Sequence, residues 1–304
     1  MFSETERKPI ILLPYPFRII SLFSGSKGNC TFVRWGDTRI LIDAGMSCRA
    51  IERSLAAVGE TADDVNAIFI THEHSDHTKA LPVFLKKHPV PVHITEPTAK
   101  ALSHDGCPTD CFAVHTDTYS IRAAKDRNSP VIGVTAFRVP HDSRACVGYR
   151  FSFEGEDGSI LRTAAISTDM GCVTDEIREA LTGVRDVIIE SNHDENMLLM
   201  GPYPYDLKRR ILSDRGHLSN CNAAAFVCDL VAAGTKNVLL GHLSPENNTP
   251  ELAYLTVQAA LKQRGYVQDT DFTLGVTRRD GAVTLLDTLS SDVQSTDTGG
   301  IISC

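Results

Sequence analysis

The sequence predicts an α/β fold of two sheets packed together with helices outside. Three observations point there. Apolar, β-branched runs alternate with helical patterns in the order strands, helix, strand, helix, and the order then occurs a second time. Hydrophobic residues fill 42% of the 304 positions, enough for a large core. Side chains of metal-ligand type follow apolar strands along the whole chain, as they do where strand ends converge on one edge of a sheet. No short repeat is visible.

Taken in order, "FRIISLFS" reads as a strand and "GSKGN" as a turn with two glycines. "CTFVRWGDTRILIDAG" reads as a hairpin turning at Gly36-Asp37. Ile51, Leu55 and Val58 then recur at helical spacing. "NAIFI" is a buried strand running into a histidine loop, "KALPVFLKKH" a helix with Pro82 near its start, and "PVHIT" a short strand. "IGVTAFRVPHD", "CVGYRFSFEG" and "SILRTAAISTD" form a strand-rich middle, with a turn from Gly155 to Gly158. "TDEIREAL" starts a helix at Thr174, and "DVIIES" is another buried strand. "YDLKRRILS" and "SNCNAAAFVCDLVAAG" are helices, the second stopped by Gly234. "NVLLGH" is a strand, "PELAYLTVQAALKQRG" a helix, and "FTLGV" and "AVTLL" are two late strands. Residues 1–17 read as an extension, 18–288 as a single domain and the polar, Gly-rich stretch 289–304 as a disordered tail.

The net charge of -8 excludes a molecule that attracts polyanions as a whole, so any nucleic-acid contact needs a local basic patch or bound cations. Lys208, Arg209, Arg210 and Arg215 supply such a patch, although runs of this kind are also ordinary solvated helix faces. Nine scattered cysteines, an odd number, read as free thiols of a reducing compartment. Cys107 and Cys111 near His104 and His115 allow a zinc knuckle, against ordinary loop thiols. The apolar run at 10–13 is broken by Pro14 and Pro16 and has no signal-peptide plan. The expectation is a soluble, cytoplasmic protein without membrane contact.

The stretch "ITHEHSDHTKAL" places His72, His74, Asp76 and His77 within six residues. His141 in "VPHD", Asp169 in "ISTDMG" and His242 in "LLGHLS" each follow a strand. Six or seven such groups brought to one edge are enough to enclose two metal ions, and nitrogen and oxygen donors of this kind suit zinc, iron and manganese. Packing or capping explains one histidine well and seven groups poorly. His88 and His93 flank prolines and read as surface residues, and His104 and His115 as loop residues.

Asp43 in "LIDAG", then "THEHSDH", His141, Asp169 and His242 together resemble the metallo-β-lactamase superfamily, in order and context over roughly residues 18–287. The resemblance implies a four-layer αββα sandwich with a dinuclear metal site at the edge of the two sheets. It implies that His72, His74 and His141 hold one divalent ion, that Asp76, His77 and His242 hold the other, and that Asp169 bridges them. Asp43 would buttress the histidine loop from behind. No cysteine stands at a ligand position.

That superfamily acts on lactams, thioesters, lactones, phosphodiesters and nucleic acids, so the metals alone do not name the substrate. "VIIESNHDENML" places Glu190 and His193 after a strand, and "SDRGHLSN" places His217 before a helix that Ser219 can cap. Ribonuclease Z-like nucleases carry a similar glutamate and histidine. By that resemblance His217 protonates the leaving oxygen, Glu190 orients it, and Asp76 completes the catalytic set. His217 as a merely packed neighbour of a helix N-terminus is the bland alternative.

"SLFSGSKGNCTFV", "LIDAGMSCRAIERSL", "ESNHDENML", "GPYPYDLKRRILSDRGHLSN" and "GHLSPENNTPELA" resemble the YycJ/WalJ-like metallohydrolases across most of the chain. This resemblance implies a 5′→3′ exonuclease on double-stranded DNA, working in repair with partner proteins and using manganese. The alternatives are a hydrolase of a small cyclic phosphodiester, lactone or thioester, or an RNA-processing nuclease. Ser24, Ser26, Lys27 and Asn29, in a donor-rich turn, are candidate phosphate contacts, though a hairpin turn needs the same glycines. Tyr203 and Tyr205 are candidates to stack on a base or sugar.

Overall fold

The computed structural model describes residues 13–105 and 107–287. The expected tail at 289–304 lies outside the described residues. Two seven-stranded sheets form the centre of the molecule.

The first sheet takes β1 (Phe17–Phe23), β2 (Cys30–Trp35), β3 (Thr38–Ile42), β4 (Ala67–Phe69), β5 (Val92–Thr95) and β6 (Phe112–His115). The second takes β7 (Ser120–Ala123), β8 (Ile132–Val139), β9 (Cys146–Glu154), β10 (Ile160–Ser167), β11 (Asp186–Glu190), β12 (Asn237–Gly241) and β13 (Thr273–Val276). The last strand, β14 (Val283–Asp287), returns to the first sheet, so the orders are β14-β1-β2-β3-β4-β5-β6 and β13-β12-β11-β10-β9-β8-β7. Each sheet is antiparallel on one side and parallel on the other: β3 to β6 run parallel, as do β10 to β13. Parallel strands need crossovers, and helices supply them.

The helices are α1 (Cys48–Ala57), α2 (Ser75–Thr78), α3 (Leu81–Lys87), α4 (Glu96–His104), α5 (Asp175–Leu181), α6 (Glu195–Met200), α7 (Tyr205–Ile211), α8 (Asn220–Ala232) and α9 (Pro250–Gln263). Three apolar clusters glue four layers together. Phe17, Ile19, Trp35 and Phe69 meet Tyr149, Phe151, Phe153 and Ile166 between the sheets. Ile20, Leu22 and Leu41, alternate residues of the same first-sheet strands, face Ile51, Leu55 and Phe84 of α1 and α3. Val187, Ile189 and Leu240 face Ile177, Phe226, Val227 and Val257 of α5, α8 and α9. Strand periodicity of two thus feeds both faces of each sheet.

The predicted caps form. Thr174 accepts from Ile177 N and Ser219 from Asn222 N, and Gly234 takes φ +112° just after α8. β1 opens at Phe17, the first residue of the strand read from the sequence, and Tyr15 packs edge-on against Trp35 at 5.2 Å. Some expectations need correction. His93 is not a surface residue. It lies on β5 and stacks on Phe69 at 4.6 Å, because the β5 pleat turns it toward the other sheet. His115 belongs to β6 rather than to a loop, and its Nε2 lies 3.0 Å from His93 Nδ1. Burial, and then His115, pulls the His93 pKa down to about 4. His88 is only 12% exposed and is held by Glu52 and Asp63. His104 ends α4 and is 92% exposed, so no set of ligand atoms among the described residues joins it with Cys107, Cys111 and His115. Among the described residues, no helix is long and apolar enough to cross a membrane.

Candidate metal centre

The site sits where the strands stop. Asp43 follows β3, His72 to His77 follow β4, His141 follows β8, Asp169 follows β10, Glu190 ends β11 and His242 follows β12. Asp43, Asp169 and His242 turn there with φ of +63°, +59° and +56°. A left-handed non-glycine residue costs about 1–3 kcal/mol, and three together at one site mark a structure that over-determines their backbone. Gly45 shows how closely the loops are pressed: a Cβ on it would lie 1.6 Å from the Asp76 carbonyl oxygen.

Ligand-type atoms converge in two sets. Those of His72, His74 and His141 lie within 4.8 Å of one another, and so do those of Asp76, His77 and His242. His72 Nε2 is 3.0 Å from His74 Nδ1. Asp169 stands between the sets. Its Oδ1 is 3.3 Å from His242 Nε2 and 3.8 Å from His141 Nε2, and its Oδ2 is 3.4 Å from His77 Nε2. Every residue predicted as a metal donor is therefore brought to one place.

The ring nitrogens on the far side are held. His77 Nδ1 lies 2.8 Å from Asp43 Oδ2, His141 Nδ1 3.2 Å from the Gly216 carbonyl, and His242 Nδ1 2.9 Å from Glu190 Oε1. His72 Nδ1 meets Thr71 Oγ1 at 3.0 Å, and that hydroxyl and the Thr71 N–H both donate to Asp43. Fixing one nitrogen of each ring leaves Nε2 as the atom presented to the cleft, as metal-binding histidines require.

Two observations show that the set fits cations. Asp169 Oδ2 and His242 Nε2 are buried and find no hydrogen-bond partner in the protein. A buried polar atom without a partner costs about 1–3 kcal/mol, and more when charged. The charges also agree. Burial alone would raise the pKa of Asp169, yet His242, His77 and His141 hold it below the usual range. Burial would lower His77, but Asp43 and Asp169 raise it to about 9. The surrounding carboxylates thus favour a positive charge at this place.

Glu190 and His217 meet as well. His217 Nδ1 lies 2.8 Å from Glu190 Oε1, the same oxygen that holds His242. Met170 N donates to Glu190 Oε2 at 2.7 Å and Leu218 N at 3.2 Å. Glu190 is fully buried, and His217 and His242 outweigh that burial to hold its carboxyl well below the usual range. His217 is 21% exposed and lines a cleft of about 180 Å³ with Ser26, Asp142, Tyr203, Arg210 and His242.

The four turn residues divide. Ser26 and Lys27 are exposed, while Ser24 and Asn29 are buried and face inward. Ser24 Oγ accepts from His242 N at 2.8 Å, and Asn29 Nδ2 lies 2.9 Å from His77 Nε2. Ser24 thus fixes the backbone of His242, whereas the Asn29 amide meets the His77 nitrogen on its cleft side. In the basic run, Lys208 Nζ donates to the Leu199 carbonyl, Arg209 lies over the Tyr205 ring, and Arg210 pairs with Asp142. Arg215 donates twice to the His141 carbonyl, at 2.8 and 3.0 Å.

Several contributors escape a sequence reading. Asp142 Oδ1 lies 3.2 Å from His141 Nε2, and its place directly after His141 was the one available signal. Asn192 donates to the His242 carbonyl at 2.7 Å, and the Gly216 carbonyl fixes His141. Both lie in stretches quoted above, but nothing local in the sequence pairs them with His242 or His141.

Comparison with known proteins agrees with this geometry. The beta-lactamase superfamily domain matches residues 38–243. The exodeoxyribonuclease YycJ of Bacillus anthracis is 37% identical over 259 residues, covering 82% of this chain and 94% of that protein. The exodeoxyribonuclease WalJ of Streptococcus pneumoniae is 34% identical over 269 residues, covering 88% and 97%. The metallo-beta-lactamase fold protein YhfI of Bacillus subtilis superposes with a TM-score of 0.61 at 14% identity, over 88% of this chain and 99% of that one, a likeness of fold.

Proposed function

Because this chain belongs to the β-lactamase superfamily, we propose that it is a metal-dependent phosphodiesterase, and more narrowly a 5′→3′ exonuclease on double-stranded DNA acting in repair. The observation that carries the reading is the Glu190–His217 pair, held at 2.8 Å, with the His217 ring lining the cleft beside His242 and 5.1 Å from the His141 ring. The names of the YycJ and WalJ relatives support the DNA substrate.

His72, His74 and His141 would hold one divalent ion and Asp76, His77 and His242 a second, with Asp169 between them. Bound there, zinc, manganese or iron supplies an activated water and neutralises the charge of a phosphoryl group. The chain's own residues do the rest. Glu190 fixes the His217 ring through Nδ1, which leaves Nε2 free to give its proton to the departing sugar oxygen. The buried carboxylate complements the charged ring before transfer. A lactam or thioester with a good leaving group has little use for that proton.

Arg210 and Tyr203 line the same cleft, and Ser26 and Lys27 stand exposed on its rim turn, positions suited to the backbone of a strand. Arg215 acts indirectly by anchoring the His141 loop. A duplex end is the form of substrate proposed for this cleft.

The test is degradation of a 5′-phosphorylated, 3′-labelled DNA duplex with manganese and with chelator. A ladder shortening from the 5′ end, absent with chelator and in His217→Ala, supports the reading. An intact duplex with metals bound, together with turnover of a lactone or thioester, would overturn it.

A further inference from the structure

A second group of ligand-type side chains shares no residue with the cleft. Cys48 opens α1, and Glu52 follows four residues later on the same face. His88 caps the C-terminus of α3, which packs against α1. Cys48 Sγ is 3.5 Å from Glu52 Oε1, and that oxygen is 3.1 Å from His88 Nε2. The three ligand atoms lie within 4.8 Å of one another. A tetrahedral zinc ion with bonds of about 2.0–2.3 Å sets its ligands about 3.3–3.8 Å apart, so the 3.5 Å edge is in place and the 3.1 Å edge has to open slightly.

The histidine is prepared for such a role. Its Nδ1 lies 2.7 Å from Asp63 Oδ1, and its ring packs on Phe84 at 4.9 Å. A carboxylate on the far nitrogen is what orients a metal-bound imidazole. The plain alternative is an ion-pair network, since Lys87 Nζ also lies 3.1 Å from Glu52 Oε1. That network accounts for Lys87, Glu52 and His88. In the same network the Cys48 thiol, 4% exposed at the edge of the apolar cluster of α1 and α3, donates to that carboxylate oxygen, so sulfur, oxygen and nitrogen donors already face one point. Lys87 is 53% exposed and free to swing into solvent. Burial and Glu52 push the Cys48 thiol up to about 11, a setting that a divalent cation reverses.

We propose that Cys48, Glu52 and His88 bind a thiophilic divalent cation such as zinc, with water as fourth ligand, clipping α1 to α3. Binding releases the thiol proton to solvent as the sulfur–metal bond forms, with no change of oxidation state. Sulfur, nitrogen and carboxylate donors together select zinc-like ions over magnesium or calcium.

Cobalt(II) titration of the full-length, metal-free chain tests this. Cys146 Sγ lies 3.8 Å from His72 Nδ1 and Cys221 is exposed, so a near-ultraviolet thiolate-to-cobalt band is assigned to this cluster by its loss in Cys48→Ser. The band should grow to saturation in the native sequence and be lost in Cys48→Ser, while weaker visible cobalt bands persist. His88→Gln, at a helix end, should weaken binding in that band by about tenfold or more. No thiolate band in the native chain, a band that survives Cys48→Ser, or unchanged affinity in His88→Gln would each overturn the site.

Discussion

Glu190→Gln is the most informative single change, because the structure gives glutamine no good orientation. Glu190 Oε1 faces His217 Nδ1 at 2.8 Å and His242 Nδ1 at 2.9 Å, while Oε2 accepts from Met170 N at 2.7 Å and Leu218 N at 3.2 Å. If the amide oxygen faces the rings, its NH2 confronts two buried N–H donors. Leaving both unpaired costs about 2–6 kcal/mol at about 1–3 each. If the amide is reversed, both rings must accept at Nδ1 and carry their protons on Nε2. In His242 that is the atom presented to the cleft, so a ligand is lost. Either way the charge that complements the His217 imidazolium is gone, and a general acid is worth about 10²–10⁴ in rate. We expect kcat on a DNA duplex to fall by about that factor with KM nearly unchanged. Urea unfolding should show a loss of about 2–6 kcal/mol, unless elemental analysis shows instead that metal is lost. A variant with native kcat, native metal content and native stability would refute the role assigned to Glu190.

Two further outcomes follow from the same geometry. Asp43→Asn removes the carboxylate that holds His77 Nδ1 and the Thr71 hydroxyl, so affinity for the ion expected at His77 should drop about 10–100-fold in a chelator competition. Glu60, with its side chain 2% exposed, is clamped by Arg18, Arg34 and Arg39 at 2.9–3.0 Å. Burial raises its pKa, but Arg34, Arg39 and Arg18 outweigh burial and leave it lowered. A lowered folded pKa means stability that is present above the unfolded value, about 4.3, and lost as pH falls through the folded value. Glu60→Gln should therefore cost about 3–5 kcal/mol at neutral pH, and the gap to the native chain should close in strong acid. A gap independent of pH would contradict the charge argument.

The metal donors were legible because chemistry concentrates them in short motifs. "THEHSDH" needs no knowledge of tertiary contacts, and Asp43, Asp169 and His242 announce themselves by following apolar strands. The alternation of Phe17 and Ile19 with Ile20 and Leu22 likewise exposes a strand buried on both faces. What stayed hidden depends on register between distant strands. The Gly216 carbonyl under His141, Asn192 against His242 and Arg215 on the His141 loop join residues 50–75 apart. The inward turn of Ser24 and Asn29 is of the same kind, since a donor-rich loop looks alike whether it serves a ligand or its own fold. For His93 the flanking prolines suggest solvent, whereas the pleat of β5 carries it between the sheets against Phe69. β6 and α4 lacked a clear period: β6 is only four residues long and half-buried, and α4 begins with Glu96-Pro97.

We propose that two cations, held by these seven donors, drive phosphodiester cleavage. Manganese titration of the metal-free chain, with bound ions and nucleotide release from a DNA duplex measured on the same samples, tests it most directly. Manganese favours nitrogen and oxygen donors, so the thiolate cluster at Cys48 contributes little to the count. Release should track ions bound and level off at two per chain. Full activity with one ion bound, or none with both bound, would contradict it.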